Sequence, residues 1–154
     1  MKILFVCKHN RFRSIVAEAI FNFLNKNKKI KVKSAGIKID LLRPYIEPVV
    51  IKIMKEKGYR IKGKPRKLTK EIIKNFDLIV IVSENLFSDD TQKSDKIKKI
   101  SDVADDIDKK LFSGFEGKII RWKIQDADAL DVKKIKRIVN EIEIKVKELI
   151  SSLK

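Results

Sequence analysis

Two short runs, KILFVC at 2–7 and DLIVIV at 77–82, constrain the fold more than any other feature of the chain. Both are too short for a buried helix and are rich in residues that favour strands. A strand that stays apolar on successive residues has both faces covered, as in the middle of a parallel sheet. Segments of helical spacing lie between and beyond these runs. Over 13–27, Val16, Ile20, Phe23 and Leu24 fall on one face, which predicts a helix. The stretch 30–35 (IKVKSA) alternates like a strand with one buried face, and Gly36 stops it. A second helix is predicted over 44–57, with Pro44 and Pro48 near its start, Val50, Ile53 and Met54 inward, and Gly58 as its stop. Thr69 with Glu71, and Glu84 with Asn85, mark weaker helix starts. IKKI at 97–100 reads as a further short strand, and 101–129 as irregular and acid-rich. The segment 131–153 is a long amphipathic helix, in which Ile135, Ile138, Val139, Ile142, Val146, Leu149 and Ile150 repeat at helical spacing.

Strands alternating with helices predict an α/β fold of three layers: a central, mostly parallel sheet of about four strands with helices on both faces. No repeat, Gly/Ser-rich linker or low-complexity tract divides the chain, so 1–154 reads as a single domain.

No apolar run approaches the roughly 20 residues of a membrane span, and no cleavable leader pattern follows KILFVC. The expectation is a soluble, cytoplasmic protein without a membrane partner. One cysteine excludes an internal disulfide, and one cysteine with one histidine excludes the usual structural zinc sets. Thirty-seven basic against 21 acidic residues give a formal charge of +16. Only seven of the basic residues are Arg, and the Lys are scattered. That distribution is a solvated basic surface rather than a nucleic-acid-reading motif, and its field favours anionic substrates.

The lone cysteine sits where the first strand ends, in CKHNRFRS (7–14). In a parallel sheet ligands bind beyond the carboxyl ends of the strands. The loop Lys8, His9, Asn10, Arg11, Phe12 returns directly into a helix whose first turn holds Arg13 and Ser14. Helix-start N–H groups lack intrahelical partners, so together with loop N–H groups they can curl round an anion. Such surroundings stabilise a thiolate. Arg13 offers a planar fork for two oxygens of a tetrahedral oxyanion. The Ser14 hydroxyl can donate to sulfur, and Asn10 tolerates a left-handed turn and can tie the loop together. The competing reading of Cys7 is a small buried hydrophobe.

The pattern C-x5-R-S resembles the phosphate-binding loop of the low-molecular-weight protein tyrosine phosphatases, which share a fold with the thioredoxin-coupled arsenate reductases. The resemblance continues through KSAG (33–36), IMKEKGYRIKGKPRKLT, FDLIVIVSENL and RWKIQDADALDVKKIKRIV. It implies a metal-independent phosphomonoesterase with no cofactor, acting through a phosphocysteine. Cys7 is then the nucleophile, residues Lys8 to Ser14 bind phosphate with Arg13, and Asp126 is the general acid. The substrate is a phosphorylated protein or a small aryl phosphate. One carboxyl can serve as acid and then as base in such a route. Trp122 and Ile124 are apolar neighbours expected to desolvate Asp126 partly. Asp128 is a rival two residues on, and either residue can instead be solvated or cap a helix.

Four positions depart from the phosphatase pattern: His9 for a glycine, Phe12 for a second cysteine, Ile15 for a proline, and Ala127 for the proline after the acid. A His before the Asn is found in the arsenate reductase branch. That chemistry passes a disulfide along several cysteines, and this chain has one. An oxyanion reductase using an external thiol and a non-catalytic anion or nucleic-acid binder remain the competing functions. Arg11 reads either as a rim cation that favours extra negative charge on the substrate or as an outward, solvated side chain. His9 reads either as a pH-sensitive loop residue or donor behind the site, or as a loop residue that satisfies a local hydrogen bond. Leu41, Leu42 and Tyr45 are candidates for an apolar cleft wall.

Overall fold

A computed structural model describes residues 1–84 and 111–154. Four strands form one sheet: β1 (Lys2–Cys7), β2 (Lys31–Gly36), β3 (Leu78–Val82) and β4 (Lys118–Trp122). All pairings are parallel, in the order β2-β1-β3-β4. The two apolar runs are the two central strands, as their lack of alternation requires.

Side chains alternate across the sheet. Ile3, Phe5, Val80 and Val82 point to a core shared with Val16 and Ile20 of α1 (Arg13–Leu24), Val50 and Met54 of α2 (Pro48–Glu56), and Ile138 and Ile142 of α4 (Val132–Ser152). Leu4, Val6, Ile79 and Ile81 face the other way, onto Leu68, Ile73 of α3 (Lys70–Ile73), Leu111 and Phe112. The sheet is therefore covered on both faces.

Local signals place most helix ends. Pro48 opens α2, and Gly58 follows it at φ +90°, a conformation that side chains disfavour. Thr69 caps α3 by accepting from Ile72 N–H at 3.2 Å. Asp131 caps α4 through Lys134 N–H at 3.2 Å.

Three expectations need correction. The helix expected from 44 begins only at Pro48, because Asp40 gathers Leu42, Arg43 and its guanidinium into a turn before it. The first helix ends at Leu24 rather than 27, where Asn25 turns to extended backbone and Asn25 and Asn27 bond to each other. Its buried face is Val16, Ala17, Ile20 and Phe21, while Phe23 is largely exposed and packs edge-on against Tyr59 at 5.3 Å. Finally, β4 falls inside the stretch read as irregular. It is an edge strand, half-buried and broken by Lys118 and Arg121, so its apolar pattern is too weak to show before β3 pairs with it. The expected strand at 97–100 and the helix start at Glu84–Asn85 lie outside or at the border of the described residues.

Candidate active site at the carboxyl end of the first strand

Cys7 is the last residue of β1 and is buried between the ends of its neighbours: its sheet partner in β2 is Gly36. Beyond it the chain runs through Lys8, exposed, and His9, half-buried, into Asn10, Arg11 and Phe12, all buried. Asn10 makes the sharp turn at φ 56°. The loop passes so close to β2 that a Cβ on Gly36 would lie 2.6 Å from the His9 carbonyl carbon and 2.7 Å from the Asn10 nitrogen. Only glycine fits there. Backbone N–H groups of Lys8 to Phe12 have no acceptor among the described residues, and no side chain caps α1 where Arg13 begins it.

Hydrogen bonds tie the loop to the residues around Cys7. Arg66 N–H donates to Asn10 Oδ1 at 3.0 Å, which fixes the amide's orientation. Asn10 Nδ2 then donates to Ser14 Oγ at 2.6 Å and to Ser34 Oγ at 3.0 Å. Ser14 Oγ lies 2.9 Å from Cys7 Sγ, a hydrogen bond in which either atom can donate, and its hydroxyl also reaches the Ala35 carbonyl at 3.5 Å. Ser34 donates onward to Glu18 Oε1 at 2.5 Å. Burial pushes the Glu18 carboxyl above its ordinary range, opposed by the Ser34 hydrogen bond and by Lys33 and Arg66.

Arg13 is buried, and its Nη1 donates to the Ile124 carbonyl at 3.1 Å and to Ser83 Oγ at 3.3 Å. Among the described residues its ion-pair partner is Asp126, at 3.7 Å from Nη2 and 55% exposed. That exposure corrects the expectation that Trp122 and Ile124 desolvate Asp126: both of those side chains turn into the core instead. Asp128 is a turn former, accepting from Leu130 N–H at 2.8 Å. Cys7, Arg13 and Asp126 line one cavity of about 430 Å³.

Arg11 lines the cavity, as one of its sequence readings places it, but it is neither solvated nor a free cation. It is buried, donates from Nη2 to Glu47 at 2.9 Å and from Nε to the Tyr45 carbonyl at 2.8 Å, and its guanidinium carbon lies over the Tyr45 ring, 5.2 Å from the centroid. His9 Nδ1 meets the Lys38 carbonyl at 3.0 Å. Leu41 and Leu42 are about nine-tenths exposed and form no cavity wall. Glu18, Ser34, Glu47 and Ser83 were not visible as site residues in the sequence. Ser34 and Ser83 left a faint signal, as small polar residues at or just past the ends of buried strands. Among the described residues no group of three or more His, Cys, Asp or Glu is arranged to hold a metal ion. No helix among them is long and apolar enough to cross a membrane.

The model of the low molecular weight phosphotyrosine protein phosphatases matches residues 2–154. The chain belongs to this family. A Synechocystis sp. protein provisionally named as a low molecular weight protein-tyrosine-phosphatase is 31% identical over 115 residues, covering 68% of this chain and 73% of its own. An arsenate reductase from Archaeoglobus fulgidus is 30% identical, with a TM-score of 0.68 over 97% of this chain and 98% of that one. The Escherichia coli K30 tyrosine phosphatase Wzb, 18% identical, shares the fold at a TM-score of 0.72 over 99% and 98% of the two chains. Family membership supports a phosphatase-type function, within a fold that also serves arsenate reductases.

Proposed function

We propose that the protein is a metal-independent phosphomonoesterase of the protein tyrosine phosphatase type, working through a phosphocysteine. The supporting observation is that Cys7, Arg13 and Asp126 line the same cavity, with Ser14 Oγ within hydrogen-bond distance of the sulfur. The loop N–H groups and the Arg13 fork hold the non-bridging oxygens, where charge accumulates in phosphoryl transfer. The Cys7 thiolate attacks phosphorus, the bond to the leaving oxygen breaks, and protonated Asp126 delivers its proton to that oxygen. Water then attacks the phosphocysteine, Asp126 takes its proton, the S–P bond breaks, and Ser14 steadies the departing thiolate. Arg13 and the N–H groups supply the positive field, so the scheme calls on no metal.

Turnover of p-nitrophenyl phosphate tests the scheme. Cys7→Ser should abolish it. Asp126→Ala should lower it by about 10²–10⁴, the range of one general acid–base group, and most severely for substrates with poor leaving groups. Wild-type rates in both variants exclude the mechanism.

The 30% identity to an arsenate reductase favours a second reading, oxyanion reduction with an external thiol. The single cysteine counts against a relay within the chain. Arsenate reduction that depends on added thiol and outpaces ester hydrolysis is the outcome that selects it. A third reading, nucleic-acid binding by the basic surface, predicts salt-dependent binding that survives Cys7→Ser.

A further inference from the structure

The cavity that holds Cys7 has charged walls, and most of their charges are already matched. Arg11 pairs with Glu47 at 2.9 Å, and Arg13 lies 3.7 Å from Asp126. Asp128, the remaining carboxylate of the lining, accepts from Leu130 N–H at 2.8 Å. Two lining cations keep unused donors: Lys134, in the first turn of α4, and Arg43, in the turn before α2.

Among the described residues the Lys134 ammonium group has no carboxylate within ion-pair distance and no hydrogen-bond acceptor. Its main-chain N–H is taken by Asp131 Oδ1 at 3.2 Å, and its carbonyl belongs to the hydrogen-bond ladder of α4. What a residue so placed offers to a cavity outside its helix is its side chain. Lys134 is half-buried, the exposure of a stem that lies along the wall and keeps its charged head in water. Arg43 comes from a different segment. Its Nε donates to Asp40 Oδ2 at 3.0 Å, and its two terminal nitrogens have no acceptor among the described residues. A ligand anchored by one anion above Cys7 brings any second anion within the same walls as these two cations.

We propose that Lys134, assisted by Arg43, forms a second anion subsite in this cavity, so that the preferred substrates are phosphate monoesters carrying a further acid group close to the phosphate. The proposal rests on the phosphate-ester reading of the same cavity. The further group is a carboxylate or a second phosphate, borne by an acidic residue beside a phosphorylated side chain or by a small molecule. Once the first anion is held, the translational freedom of the ligand is already lost, so a contact at Lys134 adds to one complex instead of requiring a second encounter. A hydrogen bond with charge on both partners is also stronger than a neutral one. The formal charge of +16 draws any anion to the surface, whereas this subsite discriminates between ligands already inside the cavity.

The test measures binding without turnover, as protection of Cys7 from iodoacetamide. The probes are inorganic phosphate and the meta and para isomers of carboxybenzylphosphonate, each isomer against its own carboxamide. Acid and amide match in size and ring and differ by one charge. In the wild type at least one acid should protect at a concentration about two- to fivefold lower than its amide, the scale of one partly screened ion pair. Lys134→Gln should remove this preference, Lys134→Arg should keep it, and Arg43→Gln should reduce it. Lys31→Gln removes the same charge from an exposed position at the opposite end of β2 and should leave the preference intact. If phosphate fails to protect the wild type, the anion-site reading itself is wrong. If phosphate protects but neither acid outdoes its amide, or the preference survives Lys134→Gln, the subsite is refuted and the phosphatase reading stands. Equal losses in Lys31→Gln and Lys134→Gln refute it too, since the general field then does the selecting. A phosphotyrosyl peptide flanked by Glu, against its Gln counterpart, identifies the source of the second anion. A kcat/KM preference for Glu that Lys134→Gln removes assigns it to a protein substrate, and no such preference beside an intact preference for the acid assigns it to a small molecule.

Discussion

At Asn10 the backbone takes φ 56° while the side-chain amide bonds three different segments: Arg66, Ser34 and Ser14. The residue type combines tolerance of the left-handed region with a donor and an acceptor on a short stem. The tie runs outward to other elements rather than within the loop, and its far end is Glu18. Burial raises the Glu18 carboxyl above its ordinary 4.5, while Ser34, Lys33 and Arg66 partly oppose the shift. Arg60 and Lys62 border the same hollow in the surface. In the unfolded chain the carboxyl returns to its ordinary value. Between the two values the native state binds the extra proton, so this contribution to stability is complete below about 4.5 and is lost as pH rises through the raised value. Glu18→Gln keeps an acceptor for Ser34 and cannot ionise. The Tm of the variant minus that of the wild type should therefore grow as pH rises from about 4 to about 8. A difference independent of pH contradicts this account of Glu18.

At the scale of elements, the end of β2 and the loop after β1 share space that one methyl group would overfill. Gly36 pairs with Cys7 in the sheet, and its N–H and carbonyl continue the pairing to Arg66 and Leu68. A Cβ here meets main-chain atoms of His9 and Asn10 rather than a side chain that can swing away. Gly36→Ala should therefore cost about 1–3 kcal/mol of stability, the range for overpacking a tight interior. It should also cut turnover disproportionately, since the displaced atoms belong to the loop proposed to bind phosphate. Urea unfolding beside p-nitrophenyl phosphate kinetics checks both. Wild-type turnover in a destabilised variant would mean that the cradle tolerates the shift. On the other side of the loop, Glu47 closes the Arg11 ion pair immediately before α2, so the same short segment starts a helix and anchors the loop.

For the whole molecule, the parallel order β2-β1-β3-β4 brings the carboxyl ends of three strands under one guanidinium. Arg13 reaches Ser83 after β3 and Ile124 after β4 from its own place after β1. A formal charge of +16 surrounds that site. The net field should speed the encounter with anionic phosphopeptides and do little for the chemical step. Raising salt from about 0.01 M to about 1 M shortens the Debye length from roughly 30 to 3 Å. The kcat/KM for an acidic phosphopeptide should then fall by about tenfold or more, with kcat nearly constant. Salt-independent kcat/KM argues that the charge plays no part in capture.

The sequence alone determined what depends on near neighbours along the chain. Apolar runs identified β1 and β3, helical spacing identified α4, and Pro48, Gly58 and Thr69 marked helix ends, because periodicity and capping act within a few residues. The octapeptide disclosed Cys7, Arg13 and Ser14 together for the same reason: strand end, loop and first helical turn are consecutive. Tertiary structure decided what depends on distant partners. Arg11 looked like a free cation until Tyr45 and Glu47, 34 and 36 residues on, closed around it. Asp126 looked shielded by its neighbours until Trp122 and Ile124 turned inward and left it in solvent beside Arg13. The edge strand β4 has no strong apolar pattern of its own and exists by pairing with β3. Side-chain charge and strand propensity are local properties, whereas their neutralisation, exposure and pairing belong to segments that meet only when the sheet forms.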